Sequence, residues 1–241
     1  MPESHEFTLD QLTGRTREHL TEVSDAPLRL HRGVAAPYLA MRAAAVADGV
    51  DLTAFSGFRD FDRQLTIWNG KFRGERPMQD QAGRPLEPLK LSPRERVTAI
   101  LWWSALPGSS RHHWGTDFDV MDAGAMPPGY RMQVIPAEYG PGGPFERLTT
   151  WLDAHMHQYG FFRPYATDRG GVRPEPWHLS YAPLAVRAQR ALTLEGMRSV
   201  VAEARIEGRD EVLESLEHTF MNYVQNVDAA PEVALLSPRL V

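Results

Sequence analysis

Between residues 110 and 119 the chain reads Ser110-Arg111-His112-His113-Trp114-Gly115-Thr116-Asp117-Phe118-Asp119, and further on it reads Glu175-Pro176-Trp177-His178. The first segment sets an imidazole and a carboxylate seven positions apart around Gly115, a residue that permits a sharp reversal. The second adds another carboxylate and another imidazole. His112, Asp119 and His178 make a set of three protein ligands, which leaves one tetrahedral position for water, as in catalytic rather than closed structural zinc sites. Glu175, three residues before a ligand and outside any helix, can sit beside that water, taking a proton as base and returning it to a leaving amine as acid. The chemistry on offer is metal-assisted amide hydrolysis. A single His, Asp or Glu more often caps a helix or faces solvent, so the weight rests on the joint pattern. Two neighbours keep the ligand set open. His113 adjoins His112, and Asp117 would share a strand face with Asp119, where it either orients a ligating imidazole or competes for the metal.

The elements around these segments must bring them together. Apolar residues at helical spacing predict helices over 35–47, 60–72, 93–104 and 145–159, the second carrying Phe61, Leu65, Trp68 and Phe72 on one face. Short strands are expected over 52–56, 118–121, 161–163 and 177–181. Residues 73–92, with Pro at 77, 85 and 88, read as an irregular loop. So do residues 121–144, where five Gly and five Pro in 24 positions exclude a helix or a central strand. A loop this long that leaves directly from the candidate site suits a lid. Helices and strands do not alternate as βαβ units, so the expected fold is α+β, a small, mainly antiparallel sheet flanked by helices. A zinc-site domain over 1–185 would be followed by a polar helical extension over 186–241, broken near Gly208, that serves as a packing cap or a homodimer contact.

The pattern HxxGxxxD followed by ExxH, with Ser110 two residues before the first His and Trp177 directly before the last, resembles the LAS family of zinc peptidases. That family groups D-alanyl carboxypeptidases of the VanX and VanY kind with lysis enzymes and peptidoglycan endopeptidases. Upstream, Ser56-Gly57-Phe58-Arg59 and Gln64 resemble its SGYRxxxxQ signature, and downstream Tyr181 holds the aromatic place of WHxxY. The resemblance spans roughly residues 52–181. It implies zinc on His112, Asp119 and His178, with Glu175 as the base. It further implies Arg59 at the developing oxyanion or the substrate carbonyl, and Ser110, Gln64 and Tyr181 as substrate contacts. The His-to-Asp interval of seven selects His112 over His113. Where the family has Ala, this chain has Asp117.

Composition narrows the remaining classes. Six Trp, seven Tyr and ten Phe in 241 residues supply a core without a disulfide or a structural metal, so a metal here would do chemistry. The absence of Cys excludes thiolate metal sites and a cysteine nucleophile. A net charge of −5 with dispersed Lys and Arg leaves no footprint for nucleic acid. No run is long enough to insert in a membrane, and the start MPESHEFTLDQL lacks the features of a secretory leader, so a cytoplasmic location is expected. His155 and His157 point to different helix faces, His5, His19, His31 and His218 have no local partners, and Trp102-Trp103 reads as core. The resemblance then implies release of C-terminal D-Ala from peptidoglycan-derived peptides or soluble muropeptides, with an LD-carboxypeptidase on tetrapeptides ahead of a DD-carboxypeptidase. An L-Ala-D-Glu endopeptidase of the lysis kind and a catalytically silent wall-peptide binder are the alternatives.

Overall fold

The computed structural model describes residues 7–24 and 28–236. His5 and the first six positions of the expected leaderless start lie outside them. Thr8 closes a capping box on α1 (Leu9–Leu12), and β1 (Leu20–Glu22) pairs with β2 (Arg29–His31) before α2 (Arg32–Ala47). Helix α2 begins three residues before the expected start because His31 caps it, Nδ1 accepting the Gly33 N–H. Strand β3 (Leu52–Ser56) and helix α3 (Phe61–Phe72, capped by Asp60) fall where periodicity puts them. The expected loop over 73–92 holds a small hairpin, β4 (Met78–Gln79) and β5 (Pro85–Leu86). Ser92 and Glu95 then box the start of α4 (Pro93–Leu101). There follow β6 (Asp117–Asp122), α5 (Glu146–His155), β7 (Phe161–Phe162) and β8 (His178–Tyr181).

Strands β3, β6, β8 and β7 form one sheet in that order, every pair antiparallel. Because side chains alternate along a strand, the sheet has two chemically distinct faces. Leu52, Ala54, Phe118, Val120, Leu179 and Tyr181 are buried in a core with Tyr38 and Met41 of α2 and Leu148 and Leu152 of α5. The Tyr38 hydroxyl accepts the Ala54 N–H at 3.1 Å and its ring meets Phe118 edge-on at 5.1 Å. Each such large side chain contributes roughly 1.5–3 kcal/mol by leaving water. The opposite face carries Asp117, Asp119, His178 and Ser180. The register pairs Asp119 with His178 and Asp117 with Ser180.

Beyond β8 the chain forms more than the expected pair of helices: α6 (Ala182–Ala191), α7 (Leu194–Glu203), α8 (Arg209–Glu214), α9 (Leu216–Thr219) and α10 (Glu232–Leu235). Thr193 caps α7 afresh and Gly208, at φ 70°, ends one polar stretch and starts the next, which divides the segment. These helices share a second core with α3 and α4, where Trp68, Ile100 and Trp114 meet Ala188, Val200 and Leu216. Residue 185, the expected domain boundary, lies inside α6. Among the described residues no helix is long and apolar enough to cross a membrane.

Candidate active site

Register and turn geometry assemble the site. Asp119 and His178 are cross-strand neighbours on the polar sheet face. His112 arrives from the 3₁₀ turn Arg111–Trp114, which ends in Gly115 at φ 69°. A Cβ on Gly115 would lie 2.8 Å from the His31 backbone nitrogen, so no side chain fits that reversal. The result is that one ligand atom each from His112, Asp119 and His178, all buried, lie within 4.8 Å of one another.

Hydrogen bonds fix which nitrogens face inward. His112 Nδ1 donates to the Gly57 carbonyl at 2.9 Å, leaving the Nε2 lone pair 3.5 Å from Asp119 Oδ2. His178 Nε2 donates to Asp117 Oδ1 at 3.1 Å, leaving Nδ1 3.3 Å from Asp119 Oδ1 and 3.4 Å from Glu175 Oε2. Asp119 Oδ1 is buried without a hydrogen bond. Two imidazole lone pairs and a carboxylate thus converge on one point, an arrangement that repels itself unless a cation lies between. The donor set and the orphaned oxygen fit a divalent metal, and zinc suits nitrogen and carboxylate ligands of this number. Without one, burial opposes charge on His178, but the Asp117, Asp119 and Glu175 carboxylates outweigh it and raise its pKa well above the usual value. Burial pushes His112 down to about 3, against the pull of Asp119.

The partners of His113 and Asp117 differ from those of the three converging residues. His113 is fully buried, donates from Nδ1 to the Arg59 carbonyl at 2.6 Å and accepts the Gly108 N–H on Nε2 at 3.1 Å. Both nitrogens are spent on the backbone, so it has none for a metal. Asp117 likewise has both carboxylate oxygens engaged. Its carboxylate takes Arg111 Nε at 2.7 Å and the Thr116 hydroxyl at 2.5 Å besides His178, and this orients the ring from behind. Arg111 in turn donates to Ser180 Oγ at 2.7 Å and to Gln189 Oε1 of α6 at 2.8 Å.

A cavity of about 390 Å³ opens over this centre, lined among others by Arg59, Ser110, Glu175 and Trp177. Glu175 keeps its side chain 14% exposed, and its N–H is held by the Tyr165 carbonyl at 2.9 Å. Burial lowers the Arg59 pKa while Asp119 and Glu175 oppose that, and Arg59 donates to Gln64 Oε1 at 2.9 Å. The Ser110 hydroxyl lines the cavity. Gln64 does not. It is fully buried, and its Nε2 donates to the Ala105 carbonyl at 2.6 Å, so its amide is spent on holding Arg59 rather than a substrate. Tyr181 is on the apolar sheet face against Phe161, one residue out of phase with His178, and cannot reach the cavity.

Other side chains also line the cavity. Tyr165, in the loop before β8, lines the cavity with its ring 5.1 Å from His178, and burial pushes its phenol up to about 12. No motif marks it. Trp102 and Trp103 both pack against a core as expected, Trp102 on the helical one and Trp103 on the sheet one, and Trp103 also lines the cavity and donates to the Asp80 carbonyl at 2.9 Å. The loop over 121–144 contributes Val134, a β-branched residue held at φ 57°. Buried Glu138 pins it by accepting the N–H of Gln133 at 2.7 Å, the N–H of Ile135 at 3.1 Å and the Tyr130 hydroxyl at 2.6 Å. A second, wider cavity of about 830 Å³ shares Arg59 and Ile67 with the first.

The chain belongs to the VanY family of D-alanyl-D-alanine carboxypeptidases, which it matches over residues 27–184. An uncharacterized protein of Haemophilus influenzae is 34% identical over 121 residues, which are 49% of this chain and 92% of that protein. A D-alanyl-D-alanine carboxypeptidase of Enterococcus faecalis is 28% identical over 144 residues, 57% of this chain but only 42% of that longer protein. Among solved structures, a zinc complex of a mutant vancomycin-resistance D,D-pentapeptidase, VanY from a VanB-type cassette, is 22% identical. It covers 73% of this chain and 86% of its own, with a TM-score of 0.49.

Proposed function

We propose that this chain is a zinc-dependent carboxypeptidase that releases C-terminal D-Ala from peptidoglycan-derived peptides, with the LD reaction on tetrapeptides as its foremost activity. The observation that carries the reading is the convergence of His112 Nε2, His178 Nδ1 and the orphaned Asp119 Oδ1 beside a partly exposed Glu175. Zinc held by the three residues would supply Lewis acidity, lowering the pKa of water and polarising a carbonyl. The chain's own groups do the rest. Glu175 takes the proton of the attacking water and delivers it to the amine of the departing D-Ala, so that the amide bond breaks as the new carboxylate forms. Arg59, fixed by Gln64, offers a permanent cation to the oxygen on which charge develops. The Ser110 hydroxyl meets the terminal carboxylate. Tyr165 and Trp177 exclude water from the His178 side.

The test is metal analysis and product mass spectrometry on tri-, tetra- and pentapeptide muropeptides. One zinc per chain is expected, with loss of metal in His112→Ala, Asp119→Ala and His178→Ala. Glu175→Gln should keep the metal and lose ~10²–10⁴-fold in rate. A Glu175→Gln enzyme retaining more than about a tenth of the rate would remove the role given to that residue. Equal cleavage of a tetrapeptide, its C-terminal amide and a peptide extended beyond D-Ala would instead make this an endopeptidase, the reading that the wide neighbouring cavity favours.

A further inference from the structure

The wall of the active-site cavity formed by α3 and the segment after it carries two cations that the reaction described above does not use. Lys71, in the last turn of α3, and Arg76, just before β4, both line the cavity. Lys71 Nζ donates to Ser104 Oγ at 2.6 Å, and among the described residues neither cation has a carboxylate within ion-pair distance. The lining's charges do not balance. Arg111 is spent on Asp117, which leaves Arg59, Lys71 and Arg76 against Asp119 and Glu175. A divalent metal adds more positive charge, beyond what one terminal carboxylate and a developing oxyanion neutralise. Lys71 is moreover an expensive residue to keep there, since burial works against its charge. The hydroxyl of Ser104 satisfies one of its three N–H bonds and leaves donors facing the cavity.

We propose that Lys71 and Arg76 form a second anion subsite that recognises a carboxylate of the peptide other than its C-terminal one. The inference rests on the carboxypeptidase reading and names the substrate class more narrowly: a peptide with a side-chain carboxylate beside the scissile bond. That group sits either on the residue that supplies the scissile carbonyl or on the departing D-residue. The two cations converge on it as charge-assisted donors, Arg76 with its planar fork and Lys71 as a point charge. Ser104 positions the ammonium.

The experiment compares zinc-loaded wild type, Lys71→Met and Arg76→Met on matched acyl-dipeptides, with direct binding beside turnover. In one arm the residue before a terminal D-Ala is Glu, Gln or Lys; in the other the departing residue is D-Glu or D-Gln. Wild type should prefer the acid over the amide by about tenfold or more in kcat/KM in one arm, and that arm locates the carboxylate. Each variant should bring the ratio close to one, and Lys71→Arg should restore part of it. An unchanged ratio in both variants, or an equal loss on acid and amide, would overturn the proposal, the latter assigning the cations to the terminal carboxylate or to the fold. Calorimetry with N-acetyl-D-glutamate and N-acetyl-D-glutamine needs no turnover. If no peptide is cleaved, the carboxypeptidase reading fails. The subsite then stands only if the acid binds about tenfold more tightly than the amide and Lys71→Met abolishes the difference.

Discussion

Two adjacent histidines show how a residue's partners, more than its type, decide its work. His112 gives one nitrogen to the backbone and keeps the other for the site, while His113 gives both away. His113→Ala should therefore leave zinc content per folded molecule unchanged and lower stability by about 2–4 kcal/mol, because it orphans a buried carbonyl and a buried N–H. Urea unfolding followed by metal analysis of the folded fraction checks both halves. The sequence could not separate the two rings from local chemistry, since their difference lies in contacts to Arg59 and Gly108; only the resemblance's spacing did. Lys71 was illegible for a related reason: a Lys at the end of an amphipathic helix usually reaches water. Its cost has a pH signature. Its folded pKa is lowered from 10.5 to about 8, so below pH 8 the folded state bears the full penalty of a buried charge. That penalty fades between pH 8 and 10.5 and is absent above. Lys71→Met should accordingly be more stable than wild type at pH 7, on the order of 1–3 kcal/mol, and the advantage should vanish near pH 10.5 in thermal melts.

At the scale of elements, much of the site follows from period-two alternation. Once β6 and β8 are strands, Asp117, Asp119, His178 and Ser180 must share a face, and Tyr181 must point away from it. That was legible, and following the strand's phase instead of the motif's aromatic place would have moved Tyr181 from substrate contact to core. Tyr181→Leu should lower stability by roughly 1–3 kcal/mol through lost packing on Phe161, with kcat/KM of the folded enzyme within about twofold of wild type. Activity normalised to the folded fraction is the readout, and a fall of tenfold or more would return Tyr181 to the site. The helices before residue 160 and the four strands of the sheet were readable from their spacing, but the order β3, β6, β8, β7 was not, because periodicity carries no information on which strands pair. The β4–β5 hairpin was not, being two residues on each side among prolines, where pattern gives no signal. Tyr165 lay equally out of reach, on a loop whose position depends on Arg163 donating to the Pro176 carbonyl at 2.8 Å.

The whole molecule connects the site to helices that the sequence presented as an extension without chemistry. Gln189 of α6 holds Arg111, which holds Asp117, which holds His178. The same helices complete the core around Trp68 and Ile100. The boundary expected at residue 185 is thus a poor place to divide the chain. A fragment ending there should fail to unfold cooperatively and should not retain zinc, as circular dichroism melts and metal analysis would show. A stable, metal-binding fragment would establish the helices as separable. Gln189→Ala, a smaller intervention, should weaken zinc affinity by about tenfold by loosening the shell behind His178.

Val134 adds a question of time to this static picture. A β-branched residue in the left-handed region costs of order 1–3 kcal/mol and persists only while its surroundings insist on it, here through three hydrogen bonds to one buried carboxylate. The wall it forms over the cavity is therefore biased toward release, and its opening has a latch, Glu138, at a known address. Amide exchange at Gln133 and Ile135 should report that opening directly. Glu138→Gln should speed exchange at both positions, and Val134→Gly, which removes the strain and leaves the latch, should slow it. If departure of the products waits on this wall, the glycine enzyme will hydrolyse its first peptide as fast as wild type and its second more slowly.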